Sequence, residues 1–318
     1  MIPPPIVSVV LAFRGGAETL GTSICGILEQ TFPDFELVLV DDGSPDAARC
    51  EAQIPHDPRI RLIRTPATGL TAALNLGCAS ARGEFIARHD NGDVSMGARL
   101  AEQVAALQAA GTVGFVCGAT EFVSPDGELL FVSTGGPEAK PGIPTREIRL
   151  GTNGPSHHGA VMFRRSLFEA VCGYREVFRL AQDWDLWFRL IEHSQFLALD
   201  TVHYRAWINP YGLSLAHPGI QRKFGDLADQ CHMLRVHGLD EFECLRAAER
   251  LHTPLARSRK NPAAGWYFVG CLLADQGKVS CRKYFLRSLQ ANPLYLKSWV
   301  RWALSFVWAG PRAGTRSP

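Results

Sequence analysis

Four places in this 318-residue chain combine residue types and spacing suited to chemistry. Phe13-Arg14 follows an apolar run, Asp41-Asp42 ends "FELVLVDD", Asp90 and Asp93 stand in "RHDNGD", and Asp183 opens "DWDLW". Each has a plain structural reading. Asp-Asp-Gly-Ser and Asn-Gly are turn sequences, and an acid in the first turn of a helix is favoured by the dipole. Three acidic element ends in one α/β region are more than punctuation. Clustered carboxylates with oxygen-rich neighbours suit magnesium or manganese bridging a diphosphate. Such an ion offsets charge on a departing phosphate oxygen. A further carboxylate could take a proton from an incoming hydroxyl as general base. Together they describe transfer of a group from a nucleotide to an alcohol.

The elements that must position these residues are legible from the apolar pattern. "IVSVVLAF" (6–13) and "FELVLVDDGS" (35–44) read as buried parallel strands. "RIRLIR" (59–64) and "GEFIARHD" (83–90) read as two more. Helices are expected over 17–31 and 70–81, with Ser44-Pro45 as a cap and first-turn proline. This alternation predicts a mostly parallel α/β sheet flanked by helices. Residues 113–133 read as two strands around Pro-Asp-Gly, and 134–155 as a long loop. A strand then runs into a helix within 159–171, where Ser166 and Glu169 match a capping box. Another helix spans 181–193. Beyond about 218 the pattern is helical, with one tetratricopeptide-like hairpin over 265–299. A single such unit cannot bury its own face and must dock elsewhere.

The composition, 46% hydrophobic and 20% charged, fits a packed globular chain. A formal charge of +2 argues against a nucleic-acid partner. Nine cysteines without a C-x-x-C pair fit a reducing cytoplasm. "MIPPPIVSVV" lacks the basic start of a signal peptide, and no apolar run is long enough to span a bilayer. Trp302, Phe306 and Trp308, near a basic C-terminus, read either as helix packing or as a peripheral membrane anchor on the cytoplasmic face.

"VSVVLAFRGGAETL", "QTFPDFELVLVDDGSPD", "RGEFIARHDNGDVS" and "AQDWDLWFRL" resemble successive motifs of the family-two glycosyltransferases. "NGPSHHGAVMFRRSLFEAVCGY" also falls in its expected place, and the resemblance covers about residues 5–210. It implies the GT-A fold, with a transferase domain over 1–215 and a helical extension over 216–318. It also implies a nucleotide-diphosphate sugar donor, most often a UDP-sugar, and a carbohydrate or lipid-linked acceptor. By the same resemblance, Asp41 contacts the nucleotide base with Asp42 nearby. Ala12, Phe13, Arg14 and Asn75 lie on the donor side, and Asp90 near ribose and metal. Asp183 is implied as the base of an inverting transfer. His157, His158, Gln182 and Trp184 fall on the acceptor side, although Trp184 also reads as helix packing and the histidines as structural.

Two departures stand out. The family usually reads P-V-Y-N after its first strand, and here Ala12-Phe13-Arg14-Gly15 takes that place. Its common D-A-D-D becomes Asp90-Asn91-Gly92-Asp93, so the acid expected at position 92 is absent and Asp93 is the next choice as metal ligand. These departures keep open a non-catalytic, nucleotide-sugar-binding member. A sugar nucleotidyltransferase is the third reading, but "AFRGGAET" is poor in the glycine and basic residues of that loop.

Overall fold

β-branched runs covered on both faces form the centre of a sheet. The computed structural model describes residues 3–212, 218–251 and 262–307. Strands β1 (Val7–Phe13) and β2 (Phe35–Asp42) are buried along their whole length. β2 pairs with β1 and β3 (Ile60–Thr65), and β1 also pairs with β4 (Phe85–Asp90), all in parallel. Beyond β4 the pairing reverses. β8 (Val161–Arg164) lies antiparallel to both β4 and β6 (Val113–Val123), and β9 (Gln195–Trp207) antiparallel to the two-residue β5 (Val94–Ser95). The order is β3-β2-β1-β4-β8-β6-β9-β5, with β7 (Leu129–Ser133) on β6. The sheet is therefore mixed, with a parallel half of four strands.

Register decides where chemistry can occur. Ala12 stands opposite Val40 and Asp90, and Phe13 opposite Asp41. The carboxyl ends of β1, β2 and β4 thus emerge at one level, where ligands of open α/β sheets bind. Helix α1 (Ala17–Leu28) buries Leu20, Ile24 and Ile27, and α4 (Arg99–Ala109) buries Leu100, Val104 and Leu107, in one core with the strands. α3 (Leu70–Ala79) seats Gly77 against β1 and β2, where a Cβ would come within 2.6 Å of Val10.

Two helix starts differ from the sequence expectation. The short α2 (Ala47–Glu51) has Asp46 at its N-cap, not Ser44. Ser44 instead accepts the Gly15 N–H at 2.6 Å and donates its own N–H to Asp41, so it joins two loops. The Ser166/Glu169 capping box does not form. β8 runs directly into α5 (Arg165–Ala170), so the cap position falls on Arg164, and Glu169 pairs with Arg165.

The chain divides into two compact units, residues 1–121, 132–206 and 224–249 in one and 122–131, 207–223 and 250–318 in the other. In the first, α6 (Gln182–Ile191) is followed by Glu192, which accepts from His232 and Arg235. The second holds the hairpin of Ala263–Asp275 and Cys281–Ala291, turned at Gly277 with φ +72°. Its apolar face is closed by the turn at 122–131. Leu130 shares a core with Val269, Leu273 and Phe285, Tyr284 donates to Ser124 at 2.9 Å, and Lys283 bridges Asp126 and Glu128. Among the described residues no helix is long and apolar enough to cross a membrane. All nine cysteines are free.

Gly83 precedes β4, and a Cβ there would lie 2.6 Å from the Ser8 nitrogen and 2.7 Å from the Val7 carbonyl carbon. Backbone cannot rotate aside as a side chain can. Gly83→Ala is expected to lower unfolding free energy by about 2 kcal/mol in urea titration. An unchanged midpoint and slope would refute this close approach.

Candidate active site

The turn after β4 gathers the acids. Asp90, Asp93 and His157 each offer one ligand atom, and these atoms lie within 4.8 Å of one another. Gly92 has φ +99°, a conformation that side-chain-bearing residues rarely adopt. Its N–H donates to Ser23 Oγ at 2.9 Å, and that hydroxyl donates to the Asp93 carbonyl at 2.8 Å. The glycine therefore reverses the chain tightly enough to return Asp93 beside Asp90. Asn91 clamps the same turn to the loop after β1, donating to Gly15 and Gly16 carbonyls at 3.2 and 3.3 Å.

Protonation states suit metal binding. Burial opposes the charge of Asp90, but the Arg88 guanidinium at 2.5 Å holds its carboxyl well below the usual range. Burial lowers the pKa of His157, favouring the neutral ring that ligates metals. Two carboxylates and a neutral imidazole fit a divalent cation such as manganese.

Residues that local sequence did not single out hold this cluster. Arg88 is fully buried and donates to Asp90, to the Val10 and His89 carbonyls at 2.7 and 3.0 Å, and to His158 at 3.4 Å. Tyr204, on β9, accepts the Asp90 N–H at 3.0 Å and stacks on His157. It reaches there because residue 159 is glycine, where a Cβ would come within 2.2 Å of the phenolic oxygen. His158 is the structural member of its pair. It is buried, meets the Tyr174 hydroxyl at 2.8 Å, and burial pushes its pKa down to about 3.

Asp183 enters the cleft from another direction. Ala181, the N-cap of α6, is left-handed at φ +55°, a strained state for a non-glycine residue. This places Asp183 in the helix's first turn, partly exposed, with one carboxylate oxygen accepting the Trp184 N–H at 3.0 Å. Its pKa is raised to about 6, chiefly by burial and in part by the negative charge of Asp90, against the backbone N–H groups of Trp184 and Asp183 and the pull of Arg88. Asp185, two residues on, is fully buried between Arg175 and Arg189 and anchors the helix. Trp184 leans on Gly154, where a Cβ would lie 2.8 Å from its ring, and on Trp187. Gln182 is buried beside them.

The donor-side candidates fall into two groups. Asp41 and Ala12 stand at the ends of β2 and β1, with Asp41 accepting the Ser44 N–H at 2.8 Å, and Arg14 is exposed just beyond. Phe13 instead packs in the hydrophobic core. Asp42 caps the loop before α3 by accepting the N–H groups of Thr68 and Gly69 at 2.7 and 3.0 Å. Asn75 grips the backbone of Tyr174 from both ends of its amide, at 2.8 and 2.9 Å.

A model of glycosyl transferase family 2 matches residues 8–172. The putative glycosyltransferase EpsE of Bacillus subtilis is 35% identical over 204 residues, covering 60% of this chain and 68% of that protein. A hyaluronan synthase of Pasteurella multocida is 26% identical over 221 residues, and the match spans 22% of its length. Among solved structures, S. aureus TarS 1-349 with UDP-GlcNAc superposes with TM-score 0.55 at 15% identity, covering 93% of this chain and 89% of that one. The mannosyltransferase PcManGT of Pyrobaculum calidifontis, in complex with GDP-Man and Mn2+, gives 0.54 at 18%, covering 96% and 88%. These likenesses show the GT-A-type fold.

The nearest atom to a Cβ at Gly92 is Thr19 Oγ1 at 3.7 Å, so space is open and only the backbone objects. Gly92→Ala is expected to destabilise by about 1–2 kcal/mol in chemical denaturation. A variant as stable as the parent would show that the turn does not need glycine.

Proposed function

Because this chain belongs to glycosyl transferase family 2 and is a glycosyltransferase, we propose that it moves a sugar from a UDP-sugar to a hydroxyl of a carbohydrate or lipid-linked acceptor, with inversion. The observation that carries this reading is Asp183, a carboxylate raised to about 6 within the electrostatic reach of Asp90 and Arg88. A base of that strength is mostly ionised at neutral pH and still accepts a proton readily.

In the proposed reaction the acceptor oxygen attacks the anomeric carbon from the face opposite the diphosphate. Its proton passes to Asp183 as the bond from that carbon to the diphosphate oxygen breaks. Asp41, near the end of β2, would contact the nucleotide base, and Arg14 would offer a guanidinium for stacking or phosphate contact. Asp90, Asp93 and His157 would hold a divalent metal, whose chemistry when bound is neutralisation of diphosphate charge. On this reading Trp184, Gln182 and the 134–155 loop, whose Gly154 meets the Trp184 ring, would receive the acceptor. The nine free cysteines support a reducing, cytoplasmic setting, and the similarity to EpsE supports a role in polysaccharide or glycoconjugate synthesis.

Asp183→Asn is expected to cut kcat by about 10²–10⁴-fold while UDP-sugar affinity in calorimetry stays nearly unchanged. The wild-type carboxylate is lost as pH falls through about 6, so kcat/KM should decline below that pH. Full activity in the variant, or a flat profile from pH 5 to 7, would remove Asp183 as the base. Asp93→Ala should abolish manganese dependence of UDP binding. Retained dependence would assign the metal to other ligands.

A further inference from the structure

The helix Leu296–Val307 packs on the hairpin through Ser298, Arg301 and Trp302. Ser298 is buried with its hydroxyl donating to Ser288 Oγ at 2.7 Å, Arg301 reaches Asp275 at 3.9 Å, and Trp302 packs against the hairpin core. The outward side is apolar: Leu296, Val300, Leu304 and Val307 are 73%, 58%, 52% and 84% exposed. Their spacing of four, four and three residues makes one stripe, with Trp299 and Phe306 beside it. A surface helix of a globular protein normally does the reverse. A groove of about 650 Å³ runs along this stripe, with Lys297 and Arg301 among its lining residues. Trp308, the third aromatic singled out in the sequence, lies outside the described residues.

Charge identifies the occupant. From Gln276 to the C-terminus the chain has eight Lys and Arg and no Asp or Glu, and three of the eight, Lys283, Arg287 and Arg301, are offset by Asp126, Glu128 and Asp275. A second copy would bring two like-charged segments together, which is unfavourable. An apolar stripe with tryptophan on a basic, acid-free segment matches instead the acyl boundary and negative headgroups of a membrane. We propose that the outward face of Leu296–Val307 docks on an anionic lipid bilayer surface, its apolar stripe entering the headgroup boundary. This binding is independent of donor and acceptor chemistry.

The full chain is incubated with extruded POPC vesicles containing about 30% POPG, or with POPC alone, and sedimented. Partitioning is expected to favour the POPG vesicles by about ten-fold or more and to weaken at high salt. The double variant Val300→Glu/Leu304→Glu should lose about ten-fold or more of that binding with its circular dichroism and melting temperature retained, since both side chains face solvent. Lys297→Glu should reduce the POPG-dependent component alone. Absence of vesicle binding, or equal binding by a folded double variant, overturns the proposal. So does a dimer in light scattering that the double variant dissolves while vesicle binding persists.

Discussion

A buried guanidinium is the constraint on which the cleft depends. Burying an unpaired cation costs several kcal/mol, and Arg88 has no exposed surface. Its charge is compensated by Asp90, and its remaining N–H groups are taken by Val10, His89 and His158. Asp90 therefore does two things at once, neutralising the sheet's interior charge and presenting a carboxylate oxygen to the cleft. A second buried guanidinium, Arg99, holds the Arg88 carbonyl, Ser95 and Gln103. Burial pulls its pKa down to about 10, which leaves it charged at neutral pH. Burial, with Arg99 and Arg88 acting on His89 and Arg88 on His158, pushes both rings down to about 3, so they stay neutral. The polar floor of the site is thus fixed in one protonation state over the physiological range.

The backbone aims what the floor holds. Gly92 at φ +99° and Ala181 at φ +55° stand at the two turns that deliver the acids. One turn returns Asp93 beside Asp90, and the other projects Asp183 from the start of α6. Gly92 takes up its conformation freely, whereas Ala181 is strained and persists because its surroundings over-determine it. Here the determinants are visible as the Ser23 and Asn91 clamps on one side and the Asp185 ion pairs on the other. Gly92, which looks in the sequence like a lost acid, is what the Asp93 geometry needs.

Much of this was legible from local sequence, because strand ends and acids are local features. β1, β2 and β4 follow from apolar runs, and the shared level of their ends follows from parallel register. Arg88 was not legible, since an arginine inside "EFIARHD" gives no sign that its side chain turns into the interior. Tyr204 is 114 residues from the Asp90 amide it serves, and only tertiary packing joins them. Asp42 and Asn75 illustrate the converse. Each is a polar residue in a motif, yet their hydrogen bonds go to neighbouring backbone. The capping expectations at Ser44 and Ser166 failed because a competing partner or a strand running straight into a helix displaced them. The hairpin's need for a partner was readable, but not that the Pro-Asp-Gly turn would supply it.

Two of the cleft's carboxylates, Asp90 and Asp183, are pushed in opposite directions. Both lie in surroundings that oppose charge. For Asp90 the close guanidinium of Arg88 overcomes that penalty, so the group stays ionised and serves as a fixed anion. Asp183 is opposed by the backbone N–H groups of Trp184 and of Asp183 itself and by a weaker pull from Arg88, and the penalty prevails. Pairs of acids separated in this way take separate roles, one as electrostatic anchor and one as proton acceptor. Exchanging the roles would require moving Arg88, which the sheet cannot allow without leaving a buried cation unpaired. The position of one arginine in β4 therefore decides which of these two acids takes up a proton first as pH falls.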